Sequence, residues 1–464
     1  MSRLPKQSIA LPFIFAISLI CFASLSTSVY SQDQWKAGIA KTVITPDQPM
    51  WMSGYASRSK PSEGKRHDLW AKALVLQDGN NHKAVIVTLD LVGIGRDISI
   101  PVQQQLKALH QLERSQIALC SSHTHTVPVV GNNLSTMYFY DQQQHVLVDQ
   151  YAQQLVKKIV DTVSKAIEGL QPVELSQTIG QATFAVNRRN NKEADVPNLR
   201  TKNELQGPVD HDLPILKISS PTGKTLGILF GYACHATVLS DYQLSGDWPG
   251  FAQLEIEKRH PGAVAMFWAG CGADQNPLPR RTVELAQGYG KQIADGIDQA
   301  FEKPLTAVKG KLHTGFSEIE LPFGELPTRS QLEKDTKSSN RYIASRAKHL
   351  LNKLDQDGKL PATYPYPIQL WMIGNDVKFV LLGGEVVVDY AHLIKTEILD
   401  DPTWVAGYSN DVMAYIPSRR VLTEGGYEGS SSMIYYGQPT TWSPECERLI
   451  ANSIEALYNQ MKKQ

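Results

Sequence analysis

Cysteine is scarce in this chain, at five residues in 464. A disulfide scaffold of the kind that holds small exported domains together is therefore not what stabilises it. Neither sign of charge is in excess, with 46 Lys and Arg against 46 Asp and Glu. That balance removes the electrostatic case for nucleic acid as a partner. There is no internal repeat, low-complexity tract or Pro/Gly/Ser linker to divide the chain, which favours one large domain with an ample core. Long apolar runs are also missing, apart from one over residues 11–25. That run is too short, and too soon followed by polar sequence, to favour a membrane span. Arg3 and Lys6 precede it and Val29-Tyr30-Ser31 follows it, so it reads as an export leader cut near Ser31. Cys21 follows Leu19-Ile20 and lacks the small residue that a lipid-anchor site wants. The expected organisation is a signal peptide over 1–31 and one domain over 32–464, located in a periplasm or outside the cell. Cys120, Cys234, Cys271 and Cys446 remain in that domain, and a Cys234–Cys271 bridge is left open.

Strand-like and helix-like runs alternate along the rest. Residues 71–76, 84–91, 117–121, 214–219, 226–233, 263–268, 364–373 and 377–382 read as strands. Residues 100–112, 146–167, 249–258, 283–301 and 444–461 read as helices, and 328–359 as a polar helical excursion on the surface. Hairpins are mixed with helices. The expected fold class is therefore mixed α and β, with sheets of mixed or antiparallel strands flanked by helices, rather than a simple doubly wound sheet.

Polar groups recur where an apolar strand ends. Asp90 follows 85–89, Ser122-His123-Thr124-His125 follows 117–121, and His235 closely follows 226–233. Cys271 follows Trp268, and Glu385 follows Leu382-Gly383-Gly384. A sheet scaffold builds a site by gathering such groups at its strand ends. Two imidazoles two residues apart are poor core material and good metal-site material. Each residue taken alone also has a plainer reading. A histidine after a strand is usually structural, Glu385 could cap a helix from Val386, and Asp247 could be an N-cap. Tyr415 and Tyr427 could be half-buried packing residues, and Arg188 or Arg189 a surface charge.

The series Ala37-Gly38-Ile39-Ala40, Met52-Ser53-Gly54-Tyr55, His67-Asp68-Leu69-Trp70, Ser122-His123-Thr124-His125, Cys234-His235, Ser245-Gly246-Asp247-Trp248-Pro249-Gly250, Gly384-Glu385 and Tyr427-Glu428-Gly429 resembles the catalytic domain of the neutral/alkaline non-lysosomal ceramidases. The resemblance covers nearly all of 32–464 and lies in the order of the motifs. It implies one zinc ion held by His123, His235, Glu385 and Tyr415. It implies an exported amidohydrolase that cleaves the amide of N-acylsphingosine through a zinc-bound water. His125 and Tyr427 would supply donors or move protons, and Arg188 would lie near the substrate. Asp247 and Asp90 would be outer partners that fix an imidazole tautomer. The partner implied is a small-molecule or lipid substrate, with no obligate protein partner evident.

One departure bears on chemistry. The family carries a Gly-Asp-x-Ser-Pro-Asn loop with a serine at the active centre. The stretch here is Cys271-Gly272-Ala273-Asp274-Gln275-Asn276-Pro277, with Gln275 or Asp274 expected in the place of that serine. The chain is expected to end where the family usually adds a β-sandwich domain. Two alternatives follow: a hydrolase of the same fold acting on another N-acyl compound or an ester, and a catalytically silent binding protein.

Overall fold

A computed structural model of the chain describes residues 1–8, 34–399 and 402–463. The chain divides into two compact units, Met1–Ser31 and Gln32–Gln464. Most of the expected leader lies outside the described residues, and all elements named below belong to the second unit.

The larger sheet runs through β1 (Trp35–Val43), β2 (Trp70–Gln77), β3 (Lys83–Leu89), β4 (Ile117–Ser121), β5 (Gln171–Gln181), β6 (Asp212–Ser219), β7 (Thr225–Tyr232) and β8 (Val264–Ala269). Their spatial order is β8-β7-β6-β5-β1-β2-β3-β4. The central pairs are antiparallel, whereas β3/β4 and β7/β8 at the two ends are parallel. Helices α1 (Arg96–His110), α2 (Gln142–Glu168), α3 (Asp247–Arg259) and α4 (Val283–Phe301) cover one face. The second sheet is β9 (Leu312–Pro322), β10 (Thr363–Ile373), β11 (Val377–Leu382) and β12 (Thr403–Ala406), and packs on the other face. The layer between the sheets is built from Leu74, Ile86, Leu216, Trp268, Trp371, Phe379 and Trp404. This explains why β3 reads as an unbroken apolar run: it is covered on both faces.

The two parallel pairs deliver the site. The ends of β4 and β8 are bridged by the end of β12 and the segment after it, through the pairs Cys120↔Ser409 and Gly270↔Ala406. A further bridge joins Thr124 to Ala236. Strand ends more than 100 residues apart in sequence thus face one another across a few ångströms.

The mixed α and β architecture is the expected one, and α4 and β11 carry the expected bounds. Four strands, β1, β5, β9 and the four-residue β12, went unread. β5 alternates buried and exposed positions through polar residues, and β9 is half-exposed along most of its length. β1 carries Lys36 and Lys41 among its small apolar residues. The excursion over 328–359 is two helices, α5 (Arg329–Asp335) and α6 (Arg341–Asp357), around a small core of Leu332, Ala347, Leu350 and Leu360. Cys120, Cys234, Cys271 and Cys446 are all buried free thiols, so the bridge left open between Cys234 and Cys271 does not form. No described helix is long and apolar enough to cross a membrane.

Candidate metal centre and active site

His123 leaves β4 with a backbone φ of 58°, in the left-handed region where a non-glycine residue is strained. The surrounding structure holds it there. Its amide donates to Leu91 O at 2.9 Å and its Nδ1 lies 2.6 Å from Val92 O. His235 leaves β7 in a similar way, with its amide on Gln275 O at 3.0 Å and Nδ1 on Gly272 O at 2.7 Å. Glu385 belongs to a short parallel pair, Glu385–Val386 with Tyr415–Ile416, whose register sets Glu385 opposite Tyr415. The turn into that pair needs Gly384, which sits at φ 73° and has Ala414 O and Ile416 where a Cβ would go.

These three side chains meet. Glu385 Oε2 lies 3.0 Å from His123 Nε2 and 3.2 Å from His235 Nε2. A carbonyl at Nδ1 requires a proton there, so in the neutral ring Nε2 is an acceptor. Two imidazole lone pairs and a carboxylate oxygen then face one another with no donor between them. Glu385 Oε2 indeed has no hydrogen-bond partner although it is buried. A cation resolves that deficit. Burial and the nearby Arg188 charge bring His235 down to about 4, which keeps its ring neutral.

His125 turns the same way, with Nε2 at 3.1 Å from His123 Nε2. His123, His125 and His235 form the histidine cluster among the described residues that could hold a metal ion. His125 Nδ1 is buried without a partner, and burial together with the other two imidazoles pulls its pKa well down. Its ring packs so closely on Gly54 that a Cβ there would collide with it. Tyr415 OH lies 3.4 Å from His235 Nε2. The site therefore offers two groups for a fourth position, Tyr415 and His125.

A cavity of about 680 Å3 opens above this floor. Arg188 forms its wall. It donates to Glu428 at 2.7 Å, to Asn276 Oδ1 at 3.3 Å and to Tyr415 OH at 3.2 Å. Arg189 pairs with the other Glu428 oxygen at 2.6 Å and with Glu424 at 2.9 Å. Tyr427 stands edge-on to Tyr415 with ring centroids 5.2 Å apart and is 40 % exposed to the cavity. All seven residues expected at the site, His123, His125, Arg188, His235, Glu385, Tyr415 and Tyr427, thus converge on it.

Two secondary expectations are corrected. Asp247 touches no imidazole. It accepts the backbone amides of Val238, Leu239 and Trp248 and so shapes the loop after His235. Asp90 binds the Trp70 amide and Gln253. The tautomers are fixed by the carbonyls of Val92 and Gly272 instead. In the loop after Cys271 the residue facing the cavity is Asn276. Asp274 is turned away to the Val388 amide and Asn187, and Gln275 to Pro208 O.

Three residues were missed. Tyr436 donates to Glu385 Oε1, leaving Oε2 free for the centre. Tyr408 lies under His123 with ring centroids 4.3 Å apart. Glu428 anchors both arginines. Glu428 stands within the quoted Tyr427-Glu428-Gly429 motif, but nothing local distinguishes Tyr408 or Tyr436 from packing tyrosines.

A sequence profile described as neutral/alkaline non-lysosomal ceramidase, N-terminal, matches residues 35–274. Neutral ceramidase 1 of Arabidopsis thaliana is 25% identical over 309 residues, which is 64% of this chain and 39% of that protein. Neutral ceramidase B of Dictyostelium discoideum is 23% identical over 221 residues, or 46% of this chain and 30% of that protein. The matches thus span well under half the length of these relatives. Among solved structures, a neutral ceramidase from Pseudomonas aeruginosa superposes with a TM-score of 0.71 at 18% identity, covering 93% of this chain and 75% of that one. A ceramidase described as complexed with C2 does so at 0.72.

Proposed function

The chain belongs to the neutral/alkaline non-lysosomal ceramidase family, and from that premise we propose that it is an exported, zinc-dependent amidohydrolase acting on the amide of N-acylsphingosine. The observation that carries this reading is the buried meeting of His123, His235 and Glu385 with no donor between them. His123, His235 and Glu385 would hold the metal, with Tyr415 as fourth group. A zinc ion there would polarise an amide carbonyl and bring the pKa of a water toward roughly 7.

The chain's own residues divide the remaining work. The carbonyls of Val92 and Gly272 keep both ligand rings aimed inward. Arg188 holds the Tyr415 phenol and the Asn276 amide oxygen at once. With Oδ1 occupied, Asn276 presents its Nδ2 to the cavity as a donor for oxygen charge that develops on the substrate. His125, with Nε2 at the centre and Nδ1 unpartnered, is the imidazole free to hold or move a proton. This assignment does not need the serine that the loop lacks.

The test is metal content and ceramide hydrolysis measured together on the wild type and His235→Ala. The expected result is stoichiometric zinc with turnover in the wild type, and loss of both in the variant. Protein that binds no metal, or a variant that hydrolyses as fast as the wild type, would overturn the reading. Export is tested by the presence of a processed chain outside the cytoplasm.

A second reading has its own support. The cavity is lined by Arg188, Arg189, Lys192 and Arg280 with three glutamates, and Leu278 is the one aliphatic side chain of its lining. Stoichiometric zinc without ceramide turnover would move the substrate to another N-acyl compound or an ester.

A further inference from the structure

The cavity above the histidines poses a problem for any N-acyl substrate. Its polar wall can hold a head group, but Leu278 alone cannot cover an acyl chain. A row of aromatic rings does leave the centre. Tyr415 meets Tyr427 at 5.2 Å between ring centroids, and Tyr427 meets Tyr435 at 6.2 Å. Tyr435 meets Tyr342 at 5.2 Å, and Tyr342 meets Phe139 at 5.7 Å. Every step lies within the range of ordinary aromatic contact. The row runs from the innermost phenol to the surface, where Phe139 is 39 % exposed.

Helix α6 supplies its fourth ring. Tyr342, the second residue of that helix, donates from its hydroxyl to Ala56 O at 2.6 Å. Ala56 follows Gly54 and Tyr55, which line the cavity. Arg341 lies 3.6 Å over the Phe139 ring and fixes the end of the row. The excursion over 328–359 is therefore anchored to the rim of the site.

We propose that the apolar arm of the substrate leaves the metal centre along Tyr427, Tyr435, Tyr342 and Phe139, and that Tyr342 is a specificity-determining residue contributed by the excursion. The proposal rests on the amidohydrolase reading, because it takes the occupant to be the acyl arm of an N-acyl amide. The polar wall around Arg188 and Arg189 then faces the other half of the substrate.

The experiment uses a series of N-acyl amides with one head group and acyl chains of two to ten carbons. Binding to the metal-free full-length protein and KM and kcat of the zinc-loaded protein are measured for the wild type, Tyr342→Ala and Phe139→Ala. Leu109→Ala, exposed on α1, serves as a surface control. A fully buried methylene is worth ~0.8 kcal/mol, a factor of about four, so a half-covered one should tighten wild-type binding by about twofold. The expected result is that Tyr342→Ala flattens this dependence, with KM rising more for long chains than for the two-carbon compound. Phe139→Ala should act only on the longest chains and covers the case in which Tyr342→Ala does not fold. A wild type insensitive to chain length overturns the proposal, as does a dependence that survives in both folded variants. Chain-length-dependent binding without hydrolysis would sink the amidohydrolase reading and leave the track standing. Hydrolysis without chain-length dependence would do the reverse.

Discussion

The floor and the wall of the site are held in different ways. On the floor, His123 and His235 are oriented by main-chain carbonyls, and Glu385 by a short strand pair. On the wall, Arg188, Arg189, Glu424 and Glu428 orient one another by side-chain ion pairs. Main-chain restraint allows little adjustment, because a carbonyl at a strand end moves only with the sheet. An ion-pair network can yield one contact and keep the others. The floor should therefore fail abruptly when it is altered, and the wall by degrees.

The sharpest way to break this contrast is Glu385→Gln, which keeps the shape and removes the charge. Changes to outer partners of a metal ligand typically cost about 10–100-fold in metal affinity, so loss of a ligand's own charge should exceed about 100-fold. A competition titration against a chelator reads this directly, and near-wild-type affinity would mean that Glu385 is no ligand. Tyr436→Phe comes next. It removes the hydroxyl that donates to Glu385 Oε1, the side-chain brace on an otherwise main-chain floor. Its metal affinity should fall within about 10–100-fold. An unchanged affinity would show that the strand pair alone orients the carboxylate.

The same contrast decides what could be read from sequence. His123, His235 and Glu385 stand where apolar strands stop, and a strand-end histidine or glutamate is visible without knowing its partner. Strands β3, β4 and β7 were legible for a related reason: burial on both faces leaves unbroken apolar runs. β5 and β9 were not, since their half-exposed faces carry Glu, Gln and Ser. The wall depends on pairs such as Arg188 with Glu428, 240 residues apart, and no local pattern announces them. Gln275 or Asp274 was expected where Asn276 faces the cavity, because only the backbone path decides which side chain of the Asp274-Gln275-Asn276 run points there. The aspartates went wrong in another way. Asp247 was read as serving an imidazole, whereas the backbone amides of Val238, Leu239 and Trp248 claim its carboxylate first.

The wall's graded behaviour is tested by Glu428→Gln. Burial would raise the Glu428 pKa, but Arg188 and Arg189 outweigh it and hold the carboxyl below its ordinary range. A carboxyl with a depressed folded-state pKa adds stability above its unfolded value of about 4.3, and that stability is lost as pH falls through the folded value. The wild type should therefore exceed the variant in stability at neutral pH, and the gap should close in acid. Breaking a buried pair costs about 3–5 kcal/mol, and the partial exposure of Arg188 places this case at or below the lower end. Arg188 keeps Asn276 and Tyr415 as partners in the variant, so hydrolysis should fall far less than in Glu385→Gln. Denaturant unfolding across pH, with turnover on the same samples, gives both readings. A stability gap that does not depend on pH would show that Glu428 acts by packing rather than by charge, and an abolished turnover would show that the wall is as unforgiving as the floor.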